Sequence, residues 1–181
     1  RITIRHVPSV RDVMIPNYYG DQRFSSDNVR SGKALLLGEF MHAAQYFAKQ
    51  YAGVRKRLDA NPAAPVDALA AVPQKILLIY VHAVQSYLFN EAVSAWIGDT
   101  VEDCVEAEYR HGILRFPREL DDAQIPLVGA AQDLGEWEPY YQPLLEEMGL
   151  SPASFRLGAL PHLTQEGGLR SLRADIKDKD F

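Results

Sequence analysis

The spacing of apolar side chains changes several times along this chain, and each change marks an expected element. Arg1-Ile2-Thr3-Ile4-Arg5 alternates polar and apolar, the period of a half-buried strand. Across residues 32–51 the period lengthens, and Leu36, Phe40, Ala44, Phe47 and Tyr51 fall on one helical stripe. Residues 59–65 (Asp-Ala-Asn-Pro-Ala-Ala-Pro) read as a linker or the approach to a short helix. Pro73 then opens a long helix at a first-turn position that tolerates its missing N–H, and Gly98 is a natural stop. Ile113-Leu114-Arg115-Phe116 and Ile125-Pro126-Leu127-Val128 are short strand candidates. Residues 136–148 read as a helix ended by Gly149, and Ser151-Pro152 gives a cap and first-turn pair for another short helix. At the end, Leu172, Ala174 and Ile176 alternate with Arg173, Asp175 and Lys177, a strand period again.

Strands at both ends with helices between them predict an α+β fold. It would be a helix-rich insertion flanked by strands of a sheet that lies mostly outside this chain. A strand pair alone is marginally stable, so the neighbouring strands matter. The long helix also tests a membrane reading, because between residues 77 and 97 only Glu91 is charged. His82, Ser86 and Asn90 recur every four residues, however, with Gln85 beside them. Such a polar stripe is costly in lipid and ordinary in a soluble helix that bonds its stripe inside a fold. A buried soluble helix is the expectation.

Composition adds little to this picture until charge is divided along the chain. The 181 residues are 47% apolar and 24% charged, the balance of a soluble globular protein. The single cysteine, Cys104, has no partner for an internal disulfide, which fits a reducing compartment. Residues 1–90 hold 11 Lys/Arg against 6 Asp/Glu, whereas residues 91–150 hold 3 against 14. A nucleic acid would be drawn to the first half and repelled by the middle. On charge alone, a solvated acidic surface is the simpler account.

No complete catalytic constellation stands in the sequence. It has no His-Glu-x-x-His, no Gly-rich phosphate loop and no nucleophilic serine elbow, and its five histidines show no metal-ligand spacing. The run Asn17-Tyr18-Tyr19-Gly20-Asp21-Gln22-Arg23-Phe24 does combine stacking rings, amides and a guanidinium, the groups that hold an unstacked base. The same residues also suit a loop whose aromatics plug a core while Asn17 caps a turn.

Pro16 through Phe24, followed by Asn28, resembles the Pro-Asn-Tyr-Phe-Gly-x-Gln-Arg-Phe-Gly…Asn signature of the TruD family of pseudouridine synthases. Gly32-Lys33, Leu36 and Gly38-Glu39-Phe40 are similar to that family's next block. His82-Ala83-Val84-Gln85-Ser86-Tyr87-Leu88-Phe89-Asn90 resembles its His-Ala-Tyr-Gln-Ser-Tyr-Leu-Phe-Asn helix. Leu160-Pro161-His162-Leu163 and Gly167-Gly168-Leu169-Arg170-Ser171-Leu172 resemble the segment that returns to the catalytic domain. Four blocks in register cover nearly the whole chain. Two departures are Ser25 in place of a glycine and Val84 in place of an aromatic.

The resemblance implies three segments: residues 1–31 ending a catalytic-domain segment, 32–166 forming the TruD-type insertion domain, and 167–181 returning to the catalytic domain. It implies isomerisation of a uridine in tRNA to pseudouridine by base flipping, with no cofactor and no metal, in a cytoplasmic monomer that does not enter the membrane. Asn17 and Tyr19 match the family's substrate-contacting positions, and Arg23 is a weaker candidate for RNA contact. Arg55-Lys56-Arg57 touches phosphate in one reading and is a solvated helix end in the simpler one. The family's catalytic aspartate sits in a Gly-x-Lys-Asp motif upstream of the Asn17 block, and residues 1–16 contain no such motif. Ile176-Lys177-Asp178-Lys179-Asp180 echoes it but follows the return segment, which excludes it as the nucleophile. A chain cut at both ends is the expectation, inactive by itself.

Overall fold

The computed structural model describes residues 15–25 and 27–174. The strand expected at residues 1–5 and the Asp-rich end near residue 178 lie outside them. The helix expected over residues 32–51 is two helices, α1 (Asn28–Leu36) and α2 (Phe40–Ala48). Gly38 takes the left-handed conformation (φ 74°) that ends α1. Its N–H donates to the Leu35 carbonyl and the Glu39 N–H to the Ala34 carbonyl, closing the α1 terminus in a Schellman motif. The apolar stripe continues across the break because both helices face the same core. Leu36, Ala44 and Phe47 are buried, and Phe40 and Tyr51 pack against them.

Two further short helices, α3 (Ala52–Ala60) and α4 (Pro65–Leu69), follow. α3 fills a stretch that periodicity left blank, since Val54 is its one buried residue. On it Arg55 donates to the Ala48 carbonyl (3.0 Å) and Arg57 to the Asp67 carbonyl (2.7 Å), tying the basic run to local backbone.

The long helix α5 (Gln74–Thr100) is the axis of the fold. By length and composition it could cross a membrane, yet 67% of its most apolar window is buried inside the protein. Its polar stripe is bonded to other parts of the chain: His82 Nε2 lies 3.0 Å from Gln165 Oε1, Gln85 donates to the Val128 carbonyl at 2.7 Å, and Ser94 to the Ile113 carbonyl at 2.7 Å. Gly32 lets α1 lie against α5, for a Cβ there would stand 2.0 Å from the Tyr80 carbonyl oxygen. The helix runs two residues past Gly98, the expected stop. A Cβ at Gly98 would meet the Arg115 guanidinium at 3.0–3.1 Å, so this glycine makes room for a side chain from the adjoining hairpin.

That hairpin pairs β1 (Cys104–Tyr109) with β2 (Gly112–Pro117), in register from Cys104 opposite Pro117 to Tyr109 opposite Gly112. β1 was not expected. Its exposed Glu106 and Glu108 alternate with partly buried Val105, Ala107 and Tyr109, so its inner face is weakly apolar. A second antiparallel pair joins β3 (Gln124–Leu127) to β4 (Gly168–Ser171). Between them α6 (Glu138–Met148), preceded by a 3-10 turn (Gly135–Trp137), packs on α5 and ends at left-handed Gly149 (φ 65°).

Of the alternating strand expected over residues 172–176, the structure describes residues 172–174; β4 ends before it, at Ser171, and Arg173 meets the other end of the described chain. Pro16 and Arg173 form an antiparallel bridge, with Asn17 N–H donating to the Leu172 carbonyl (2.7 Å) and Ala174 N–H to the Ile15 carbonyl (2.9 Å). Asp122 fastens this junction by accepting from Ser171 Oγ (2.7 Å) and Arg173 N–H (3.2 Å). Those bonds, the hydroxyl's first, hold its carboxyl below the usual range.

Candidate functional site

The loop after Pro16 is extended and its side chains diverge, as alternation in an extended segment dictates. Tyr18 points inward and is buried. Its hydroxyl donates to the Arg115 carbonyl (2.8 Å) and its ring meets Phe116 edge-on, 5.5 Å between centroids. Burial pushes its phenol well above the ordinary range. Of the two tyrosines expected to offer a stacking surface, Tyr18 is therefore a core residue.

Tyr19 points the other way and remains half-buried. Its main chain is gripped by a fully buried asparagine of α5: Tyr19 N–H donates to Asn90 Oδ1 and Asn90 Nδ2 donates to the Tyr19 carbonyl, both at 2.9 Å. The Tyr19 ring meets Phe89, the preceding helix residue, edge-on at 5.6 Å. Two sequence blocks some seventy positions apart (|i−j| = 71) thus form one unit, and the end of the α5 motif acts as the holder of the loop.

Asn17, half-buried, is bound on the opposite side by β4. Its Nδ2 donates to the Ser171 carbonyl (3.1 Å), while Arg170 donates from Nη2 to its Oδ1 (2.7 Å) and from Nε to its main-chain carbonyl (2.9 Å). The same guanidinium lies 4.0 Å from the centroid of the Tyr19 ring and 5.5 Å from that of Phe89. Arg23 approaches the Tyr19 ring at 5.4 Å. The structure therefore brings Asn17, Tyr19 and Arg23 together, and adds Arg170. The sequence signal for Arg170 was its place in the Gly-Gly-Leu-Arg-Ser-Leu block, a block that assigned it no role.

Beyond Gly20 the chain makes a 3-10 turn (Asp21–Phe24). Phe24 is buried against Tyr109 and His111, and Asn28 Nδ2 donates to the Arg23 carbonyl (3.1 Å) and to Ser25 Oγ (3.2 Å). Ser25 sits at φ −57°, a conformation open to any residue, so its replacement of a glycine carries no backbone strain. Val84 is fully buried, and its Cγ2 would be 2.8 Å from a Cβ at Gly32, so it belongs to the α1–α5 packing. Tyr19, Gly20, Asp21, Gln22, Arg23 and the exposed Ile79 line an open pocket of about 530 Å³. Aromatic, amide, cationic and apolar groups around one open hollow can stack a ring, bond its edge and neutralise a phosphate.

Comparison with known proteins gives the chain a family. A family model described as "tRNA pseudouridine synthase D (TruD)" matches residues 52–181. "Probable tRNA pseudouridine synthase D" of Thermococcus sibiricus is 27% identical over 227 aligned positions, covering 92% of this chain and 53% of that protein. The protein of the same name from Pyrobaculum arsenaticum is also 27% identical, over 98% of this chain and 53% of its own length. A crystal structure from Methanosarcina mazei, described as a "tRNA pseudouridine synthase D (TruD)", superposes with a TM-score of 0.66 at 21% identity, over 88% of this chain and 51% of that one. It shows the same fold. The chain spans about half the length of the relatives it matches, and it belongs to the TruD family, tRNA pseudouridine synthase D.

Proposed function

We propose that the whole protein converts a uridine of tRNA to pseudouridine, and that residues 17–23 with Arg170 form one wall of the pocket that receives the extruded base. The observation that carries this reading is the reciprocal pair of hydrogen bonds between Asn90 and the Tyr19 backbone, which fastens the loop open beside a hollow.

The reaction is an isomerisation. The bond from uracil N1 to ribose C1′ breaks, the ring turns, C5 bonds to C1′, the C5 proton leaves and N1 ends protonated. Atoms and electrons balance without an oxidant, a metal or an organic cofactor. The base must leave its stack to expose these atoms, at a cost of a few kcal/mol that a pocket offsets by stacking and edge bonds. Tyr19 and Ile79 supply the apolar surface, Asn17 the amide and Arg23 a cation for the backbone. The nucleophilic aspartate belongs to a part of the protein that these residues do not include.

The test is a single-turnover assay of the full-length protein on tRNA, reading release of the C5 hydrogen. Asn17→Ala is expected to lower the rate by on the order of 100-fold, the scale of a misplaced near-attack geometry. Tight tRNA binding with no isomerisation by the wild type would recast the protein as a non-catalytic RNA-binding relative, and no affinity for tRNA would remove the reading altogether.

A further inference from the structure

We infer that Arg170 is a positioning residue for this reaction, one that locks the orientation of the Asn17 amide beside the pocket. The inference rests on the proposed function and goes beyond it, since there Arg170 only helps to wall the pocket and has no part in setting the Asn17 amide.

Three observations converge on this guanidinium. It reaches Asn17 twice, Nη2 to Oδ1 at 2.7 Å and Nε to the main-chain oxygen at 2.9 Å. It covers the Tyr19 ring at 4.0 Å. No carboxylate among the described residues pairs with it, so its charge serves the amide and the ring.

A guanidinium only donates, so the atom of Asn17 turned toward it has to be the oxygen. The Ser171 carbonyl only accepts, so the atom turned toward it has to be the nitrogen. Together they forbid the half-turn of the amide that would exchange its donor and acceptor ends. One N–H of Nδ2 and one lone pair of Oδ1 are left, each in a fixed place. The Tyr19 ring is held on the same guanidinium, so amide and ring are presented as one rigid unit. Arg suits this task and Lys does not, because a point charge on a flexible stem cannot fork across two oxygens of one residue while lying flat on a ring.

The experiment uses the full-length protein and the variants Arg170→Ala and Arg170→Lys, with Asn17→Ala alone and combined with Arg170→Ala. Arg170→Ala is expected to lower kcat on the order of 100-fold, with tRNA affinity and KM within about threefold. Arg170→Lys is expected to keep the fold and recover only a small part of the rate, which keeps the inference testable should the alanine variant unfold. The double variant is expected to be no slower than Asn17→Ala, because Arg170 acts through Asn17. An unchanged kcat, a loss confined to tRNA affinity, or fully additive effects would each overturn it. A readout free of turnover separates this inference from the reading it rests on. The Asn17 side-chain amide should give one sharp pair of nitrogen-15-resolved proton signals in the wild type and exchange-broadened signals in Arg170→Ala. Identical signals in the two proteins would sink the positioning role even if the enzyme reading stands.

Discussion

Asn90 contributes through the main chain of another segment. Fully buried itself, it supplies one acceptor and one donor to the main chain of half-buried Tyr19. Truncation therefore removes two bonds and leaves a Tyr19 N–H and carbonyl without them. Unpaired buried groups of this kind cost about 1–3 kcal/mol each. Asn90→Ala is expected to lower stability by about 3 kcal/mol, read as a shifted denaturant midpoint at constant slope. Asn90→Asp keeps the acceptor but sets a buried carboxylate against the Tyr19 carbonyl, so at neutral pH its midpoint should fall no higher than that of Asn90→Ala. Part of the residue-scale chemistry was displayed in the composition of the loop, since residues 19–23 line the hollow together with Ile79, which the loop sequence did not point to. The division of labour between the tyrosines was not, because it depends on which face of an extended strand meets α5 and β2. Arg170 escaped notice for a related reason: its partners lie more than 150 positions away, |i−j| = 153 for Asn17.

Among the helices, α1 packs backbone to backbone against α5, and Gly32 is its condition. Alanine is the better helix former by about 1 kcal/mol, so propensity alone predicts a gain from Gly32→Ala. The 2.0 Å separation from the Tyr80 carbonyl oxygen decides otherwise, because backbone on both sides has to move. Overpacking of this kind costs about 1–3 kcal/mol, and the net expectation after the propensity gain is a loss of roughly 1 kcal/mol, checked by chemical denaturation. Long, strongly patterned elements were readable: α5 and α6 lie where periodicity and glycine stops placed them, within a few residues. The break at Gly38 was hidden because a Schellman turn can bring the following helix back onto the same core, so the stripe ran on without interruption. α3 and β1 were hidden for the opposite reason. Each buries too little apolar surface to leave a period, one through basic and one through acidic side chains.

At the scale of the molecule, the hairpin turn places His111 in an aromatic enclosure of Phe24, Tyr87 and Tyr109, with ring centroids 5.1, 5.4 and 5.8 Å away. Its buried Nε2 has no hydrogen-bond partner among the described residues. Burial first, then the Arg110 charge, holds its imidazole below the ordinary value of about 6.5, against a smaller opposing pull from Asp21. As pH falls through 6.5, the unfolded chain takes up a proton that the folded chain resists, so stability falls with acidification. Glu91, bonded to the Tyr109 hydroxyl, works in the opposite sense: burial raises its carboxyl above the usual value, and the folded state takes up its proton first. Thermal midpoints measured from pH 7.5 to 5.0 should separate the two, with His111→Phe flattening the decline just below pH 6.5. An unaltered slope in that variant would assign the decline to other groups.

The bridge between Pro16 and Arg173 bears on how such a protein changes over time. Entry and exit meet at this one bridge, so segments that touch neither the pocket loop nor β4 can lengthen or shorten among descendants without parting Pro16 from Arg173, whereas the loop and Arg170, which carry the proposed pocket wall, have to be kept.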